Sequence, residues 1–309
     1  MQNDMLFKDE YKKQKEPIGT GGFGTVYKVR HRETGQTRAC KVIPKNKILN
    51  LDTFMLEIKI LQKLDHPNVL KLYEYFIDET SIYLITEMCR GGELFDRIIE
   101  KEFFDEKEAA LLFKQILQSL NYIHSQGIAH RDIKPENFLY DVKDGDSIKI
   151  IDFGLSKILS STPGKGTGGI SKRAKLEQLG KMVTKAGTPS YVSPEVLQGN
   201  YNIDCDMWSA GCLLFILLSG YPPFDGDNDI EICQNIMKGR IDFDGVEWTS
   251  VSKEAKNLIG MLICKPERRL TADEALQHKW FKKTLGDQKN KIEISKKEME
   301  NFKNFGDNP

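Results

Sequence analysis

The span His130-Arg131-Asp132-Ile133-Lys134-Pro135-Glu136-Asn137, followed by the acid that opens Asp152-Phe153-Gly154, gathers two carboxylates suited to chemistry, a lysine and an amide. It reads as a loop between apolar segments. Moving a phosphoryl group from ATP to a hydroxyl takes little covalent help from a protein. It takes an acid to orient the hydroxyl and accept its proton, and oxygen ligands to hold magnesium against the phosphates. Asp132 has the chemistry for the first task, and Asn137 and Asp152 for the second. Lys134 can neutralise charge on the migrating group. Aspartates in turns ordinarily cap their own backbone, but the full string with its second acid argues against that plainer role.

Such groups need elements to hold them. Residues 11–86 read mostly as strands with one helix. Ile18-Gly19-Thr20-Gly21-Gly22-Phe23-Gly24-Thr25-Val26 is a glycine-rich turn that runs into an alternating stretch through Arg30. Residues 38–43 read as a strand stopped by Pro44. Phe54, Ile58, Leu61 and Leu64 recur at helical spacing, which predicts an amphipathic helix over 52–64, stopped by His66-Pro67-Asn68. A further strand is expected over 81–87, leading to the turn at Gly91-Gly92. From Glu93 onward helical patterns dominate, most clearly over 107–125. The pattern predicts an α+β, two-lobed protein: a small lobe with an antiparallel sheet and one key helix, a glycine hinge, and a larger helical lobe. The expected division is an extension at 1–10, lobes at 11–88 and 89–282, and a tail at 283–309.

Glycines spaced G-x-G-x-x-G also mark dinucleotide folds, where the last glycine opens a helix. Here the residues after Gly24 alternate as a strand, which favours a hairpin laid over phosphates through backbone N–H groups.

Composition narrows the class. Across 309 residues, Lys plus Arg is 45 and Asp plus Glu is 45, a formal net charge of zero. Nucleic-acid and membrane-surface proteins draw affinity from excess positive charge, so neither partner is expected. The six cysteines are scattered without a C-x-x-C pair, which reads as thiols in a reducing compartment. The N-terminus is polar, and residue 2 is Gln where myristoylation needs Gly. The apolar run 210–218 falls short of the ~20 residues that span a bilayer, and reads as a buried helix. The expected location is cytoplasmic, or nuclear. Residues 160–175, rich in Gly, Ser and Lys, are expected to be disordered.

The whole set resembles a eukaryotic protein kinase. The catalytic string fits the family's pattern with Ile133 in place of Leu, and D-F-G is intact. Gly187-Thr188-Pro189-Ser190-Tyr191-Val192-Ser193-Pro194-Glu195 resembles the end of an activation segment (152–195), with Ser193 where the family usually has Ala. Asp206-Met207-Trp208 and Lys265-Pro266-Glu267-Arg268-Arg269 resemble later signatures, the last departing from its usual Asp at Lys265. The resemblance spans about 11–281. It implies that Ile18 to Gly24 and Val26 cover Mg-ATP. It further implies that Lys41, paired with Glu57, holds phosphates, and that Ala39, Thr86, Glu87, Cys89 and Glu93 line the nucleotide. Asn137 and Asp152 would hold the metal, and a buried Glu195–Arg269 pair would anchor the segment. Thr86 stands at the position that controls the space behind the adenine. A pseudokinase scaffold is the alternative, but such proteins lose the strand lysine or one of the two aspartates, and none is missing here.

Lys134 and Thr188 follow the serine/threonine pattern. Gly91-Gly92-Glu93-Leu94-Phe95-Asp96 and Gly220-Tyr221-Pro222-Pro223-Phe224 resemble the calcium/calmodulin-regulated group, most of all the calcium-dependent protein kinases of plants and protists. In such kinases the acids matching Glu93 and Glu136 meet an arginine upstream of the target hydroxyl. Ile216 replaces the acid that would meet a second one; ordinary surface charge is the alternative for both glutamates. Relatives carry EF-hands. The one lookalike, Asp225-x-Asp227-x-Asp229, has Ile230 and Ile236 where a calcium loop needs Gly and Glu, so a calcium sensor would lie elsewhere. Thr184 is a candidate phosphorylation site for an activating kinase. The stretch 291–305 resembles the start of an autoinhibitory junction, or is a polar terminus with a few aromatics. Protein substrates are the implied partners.

Overall fold

The computed structural model describes residues 6–21, 24–48, 50–101, 103–152, 157–158, 189–199 and 202–286. Expectations on Gly22, Phe23, Phe153, Gly154, the stretch 160–175, Thr184, Gly187, Thr188 and the stretch 291–305 lie outside the described residues.

A short helix α1 (Phe7–Glu10) precedes strands β1 (Tyr11–Thr20), β2 (Thr25–His31) and β3 (Thr37–Pro44). Helix α2 (Leu51–Leu61) and strands β4 (Leu72–Ile77) and β5 (Ser81–Thr86) complete the small lobe. The strands form one antiparallel sheet in the order β1-β2-β3-β5-β4. Side chains alternate across a strand, so neighbours part company. Ile43, Ile82 and Leu84 pack toward Ile58 of α2, while Cys40, Ile85 and Val29 pack on the opposite face with Tyr11 and Phe76. Phe7 joins that second face, its ring stacked on Tyr83 at 4.5 Å and edge-on to Phe76 at 5.9 Å. The chain before Tyr11 therefore takes part in the small lobe's packing.

The large lobe holds α3 (Leu94–Lys101), α4 (Glu106–Ser125), the short strands β6 (Ile128–Ala129), β7 (Phe138–Tyr140), β8 (Ile148–Ile150) and β9 (Lys157–Ile158), then α5 (Pro194–Leu197), α6 (Asp204–Ser219), α7 (Asp229–Lys238), α8 (Lys253–Leu262), α9 (Ala272–Leu276) and α10 (Lys279–Leu285). Asp105 starts α4 with a reciprocal capping box to Glu108, which satisfies otherwise orphaned N–H groups. The apolar stripe of α4, including Phe113, Ile116, Leu117, Leu120 and Ile123, is fully buried. Helix α6 is buried nearly all round, as an apolar helix at the centre of a lobe must be. It ends at Gly220, whose φ of 81° suits the left-handed cap. This is the two-lobed α+β architecture expected of the sequence. Among the described residues, no helix is long and apolar enough to cross a membrane.

Candidate active site

Backbone register lines up the first wall of the site. Gly19 pairs with Val26 across β1 and β2, Val26 with Lys41 across β2 and β3, and Lys41 with Leu84 of β5. Paired residues share a face of the sheet, so the glycine turn and Lys41 lie in one row. Ala39, two residues before Lys41, is opposite Thr86. Gly21 and Gly24 exchange backbone hydrogen bonds at 2.9 and 3.3 Å and close the base of the turn. The glycines have different reasons. A Cβ on Gly24 would lie 2.3 Å from Val42 O, whereas one on Gly19 or Gly21 would meet nothing within 4 Å. Gly24 is demanded by strand packing, and Gly19 and Gly21 by nothing around them among the described residues. Ile18, 48% exposed, sits at the end of this wall.

The second wall is the loop between β6 and β7. Its shape is held from below by Asp206 of α6, which is 0% exposed. Asp206 accepts the backbone N–H of His130 at 2.7 Å and that of Arg131 at 2.6 Å, and contacts His124 Nε2 at 2.9 Å. Burial pushes its carboxyl up, but the bond and charge of His124, with His130 and the Arg131 N–H, outweigh burial and hold it below the usual carboxylate range. Arg131 takes a φ of 68°, sparsely populated for a non-glycine residue and tolerated where the surroundings fix it. His130 Nε2 meets Ile151 O at 2.9 Å, tying this loop to the chain that delivers Asp152.

Asp132 is held on both sides. Lys134 Nζ lies 3.0 Å from Asp132 Oδ2, and Asn137 Nδ2 donates to Asp132 Oδ2 at 2.8 Å and to its backbone O at 2.6 Å. That orientation commits the amide nitrogen of Asn137 as donor and leaves its oxygen as the ligating atom. Amide and carboxylate oxygens from Asn137 and Asp152 are the hard ligands that fit magnesium. Asp152 itself takes a φ of 59°.

Asp152 Oδ1 accepts from Lys41 Nζ at 2.7 Å. Among the described residues Lys41 is thus paired with Asp152, where the resemblance implied a Lys41–Glu57 pair in the active state. Two part-buried opposite charges within reach of one another pair, because each offsets the other's lost hydration. Glu57 lies half-buried on α2.

At the junction of the lobes, Thr86 Oγ1 donates to Glu87 O at 3.1 Å. The Glu87 carboxylate accepts from Lys71 N–H at 2.7 Å and meets Lys149 Nζ at 3.1 Å. Burial first, then Glu87 and Asp141, push the Cys89 thiol up to about 12, so it is held neutral. Lys149 was not singled out from sequence, and Asp206 was read only as part of a stretch resembling a family signature, with no role assigned to it. The signal for Lys149 was present: a lysine inside the apolar run Ile148-Lys149-Ile150-Ile151 has no reason to be buried unless it is paired.

A groove in the large lobe runs beside this site, lined by Phe95, Ile98, Ile99, Phe103, Glu136 and Tyr221 among others. Glu136 Oε2 is buried without a hydrogen-bond partner among the described residues. Burial, then Asp96 and Glu136, push the Glu93 carboxyl above the usual range. Elsewhere, the Asp225–Asp229 stretch serves helix α7: the Asn228 side chain caps it by accepting Glu231 N–H at 3.1 Å.

Between a sheet lobe and a helical lobe, Lys41 thus meets Asp152, and Asp132 is held by Lys134 and Asn137. The chain belongs to the protein kinase domain family, which matches residues 12–281. It is 46% identical over 299 residues to calcium-dependent protein kinase 3 of Plasmodium berghei, covering 96% of this chain and 51% of that protein. Calcium-dependent protein kinase 12 of Arabidopsis thaliana is 42% identical over 270 residues, 85% of this chain and 52% of that one. Calcium/calmodulin-dependent protein kinase type 1 of Macrobrachium nipponense is 42% identical over 272 residues, 86% and 74% respectively. The domain is therefore of the calcium-dependent-protein-kinase-like kind, and the chain spans about half the length of the two calcium-dependent kinases.

Proposed function

We propose that the chain transfers the γ-phosphoryl group of ATP to serine or threonine hydroxyls of protein substrates. The observation that carries this reading is Asp132, fixed by Lys134 and Asn137 on one lobe, with Asp152 bonded to Lys41 from the other. Asp132 orients the substrate hydroxyl and accepts its proton. Lys134, already beside that carboxylate, offsets charge on the transferring group. Lys41 engages phosphate oxygens, with Glu57 of α2 nearby in the same lobe, and the glycine turn covers them with backbone N–H groups. Gly19 and Gly21 leave room for that approach. Asn137 and Asp152 would hold Mg2+, which supplies charge neutralisation between the phosphates. Ile18, Val26, Ala39, Thr86, Glu87, Cys89 and Glu93 would border the nucleotide.

Glu93 and Glu136 lie close enough for Glu136, after burial and Asp96, to push the Glu93 carboxyl up, and a carboxyl pushed up by burial and like charge is relieved by a cation. A substrate with arginine upstream of the target fits them. The names of the relatives support a role in calcium-linked signalling, with the calcium sensor and an activating kinase as further partners.

The test is transfer from Mg-ATP to a peptide bearing Arg three residues before Ser, compared with its Arg→Ala version and with Asp132→Asn. Transfer that needs both the aspartate and the arginine is expected. Transfer indifferent to the arginine removes the specificity reading alone, and transfer unaffected by Asp132→Asn removes the assigned base. No transfer by the parent chain favours the pseudokinase scaffold.

A further inference from the structure

Lys149 is 8% exposed on β8, yet it carries a charge. Its ammonium meets Glu87 Oε2 at 3.1 Å and donates to Pro67 O at 2.8 Å. Glu87 is the first residue after β5, where the chain crosses from one lobe to the other, and it is bonded on its other side to Lys71: Glu87 N–H donates to Lys71 O at 3.1 Å, and Lys71 N–H to Glu87 Oε1 at 2.7 Å. The loop before Lys71 belongs mechanically to the large lobe. Asn68 Nδ2 donates to Ile148 O at 2.8 Å and to Gln115 Oε1 at 2.9 Å, Ile150 N–H donates to Asn68 O at 2.9 Å, and Leu70 N–H to Ile150 O at 3.0 Å. This loop therefore ties the small lobe to the large one beside the crossing of the chain, and Glu87 is bonded to both sides of that junction. A rotation that moves β5 against β8 must stretch the Glu87–Lys149 contact.

We infer that Glu87 and Lys149 are positioning residues that clamp the angle between the lobes and so set how long nucleotide is retained between them. This rests on the nucleotide-binding reading above. A buried ion pair seldom adds net stability over an apolar pair, whereas it does fix geometry. β8 also leads within three residues to Asp152, so the clamp holds the strand that delivers that acid. The side chain of Glu87 points to the back of the junction and is committed to Lys71 and Lys149, so any contact it makes with nucleotide is through its backbone.

The experiment is stopped-flow release of a fluorescent Mg-ADP analogue from the full chain, its Glu87→Gln and Lys149→Met variants and the double variant, with the release amplitude per mole of protein recorded alongside. Glu87→Gln keeps the size of the side chain and an acceptor for Lys71 N–H, so it decides the matter if Lys149→Met does not fold. Release about five- to tenfold faster in each single variant is expected, with the double no faster than the faster single, as a shared coupling requires. The amplitude of the release signal per mole of protein should hold in each variant, whereas a merely structural defect would lower it. Release within twofold of the parent in Glu87→Gln, single effects that multiply in the double, or an amplitude that falls in parallel with folded fraction overturns the clamp. Absence of nucleotide binding by the parent chain overturns the nucleotide reading and the clamp together, an outcome distinct from the others.

Discussion

Asp132 does not act alone, because its loop takes shape from a carboxylate well away in sequence. Asp206 receives two backbone N–H groups and a histidine nitrogen in a site without water access. An asparagine there has one acceptor oxygen, and its own N–H groups would face donors. At least one of the His130 and Arg131 amides would lose its partner, at about 1–3 kcal/mol for a buried donor. Arg131, with its φ of 68°, would be free to relax. Asp206→Asn is thus expected to lower kcat by about tenfold or more, since small displacements of catalytic groups have such effects. The KM for ATP should change little, because Asp206 contacts the loop and not the small lobe. Steady-state kinetics with ATP and peptide varied separately would show it; an unchanged kcat would mean that the loop keeps its shape without this anchor. The types of residue at the site were legible in sequence because each has a chemistry of its own. The contact that supports them was not: Asp206 stands in a stretch that resembles a family signature, but it reaches His130 across 76 positions and nothing local marks that contact.

Periodicity carries elements well and their ends poorly. The helix predicted over 107–125 is α4, Glu106–Ser125, whose capping box and apolar stripe are both local signals. The one predicted over 52–64 is Leu51–Leu61. Leu64 keeps the helical spacing and is 3% exposed, but it packs into the large lobe's core from a turn beyond the helix. Burial imitated periodicity there. The α1 helix was missed because four residues with one packed aromatic give no period to read. The glycine turn offers a sharper test of what each element requires. Gly24→Ala puts a methyl 2.3 Å from Val42 O, which must spread β2 from β3, so a loss of about 1–3 kcal/mol is expected, as for other overpacked sites. Gly21→Ala meets nothing and should leave stability within about 0.5 kcal/mol of the parent, while raising the KM for ATP. Thermal melts beside ATP titrations separate the two. If both variants melt alike, the close approach of β3 is not what Gly24 serves.

At the scale of the whole molecule, the return of the chain from the site to the body of the large lobe depends on one buried cation. Arg269 is 7% exposed; it pairs with Glu195 of α5 and donates to Cys264 O at 2.7 Å and to Asp204 O at 2.8 Å. It thereby fastens α5, the start of α6 and the turn after α8 at one point. Removing one partner from a buried pair leaves the other charge without compensation, so Arg269→Met should lower the unfolding free energy by about 3–5 kcal/mol. The pH dependence separates the ion pair from the carbonyl bonds. Burial pushes the Glu195 carboxyl up, and the bond and charge of Arg269 overcome it, so its folded pKa lies below its unfolded one. In the parent this contributes stability that is full above the unfolded pKa and is lost as pH falls through the folded value. Without Arg269 the folded pKa rises, because the two largest causes that lower it are gone while burial remains. The carboxylate's contribution at neutral pH shrinks by that difference, and acidification through both folded values removes it. The gap in stability between parent and Arg269→Met should therefore narrow as pH is lowered from neutrality, in denaturant unfolding at a series of pH values. A gap that stays constant with pH would assign the work of Arg269 to the carbonyls of Cys264 and Asp204.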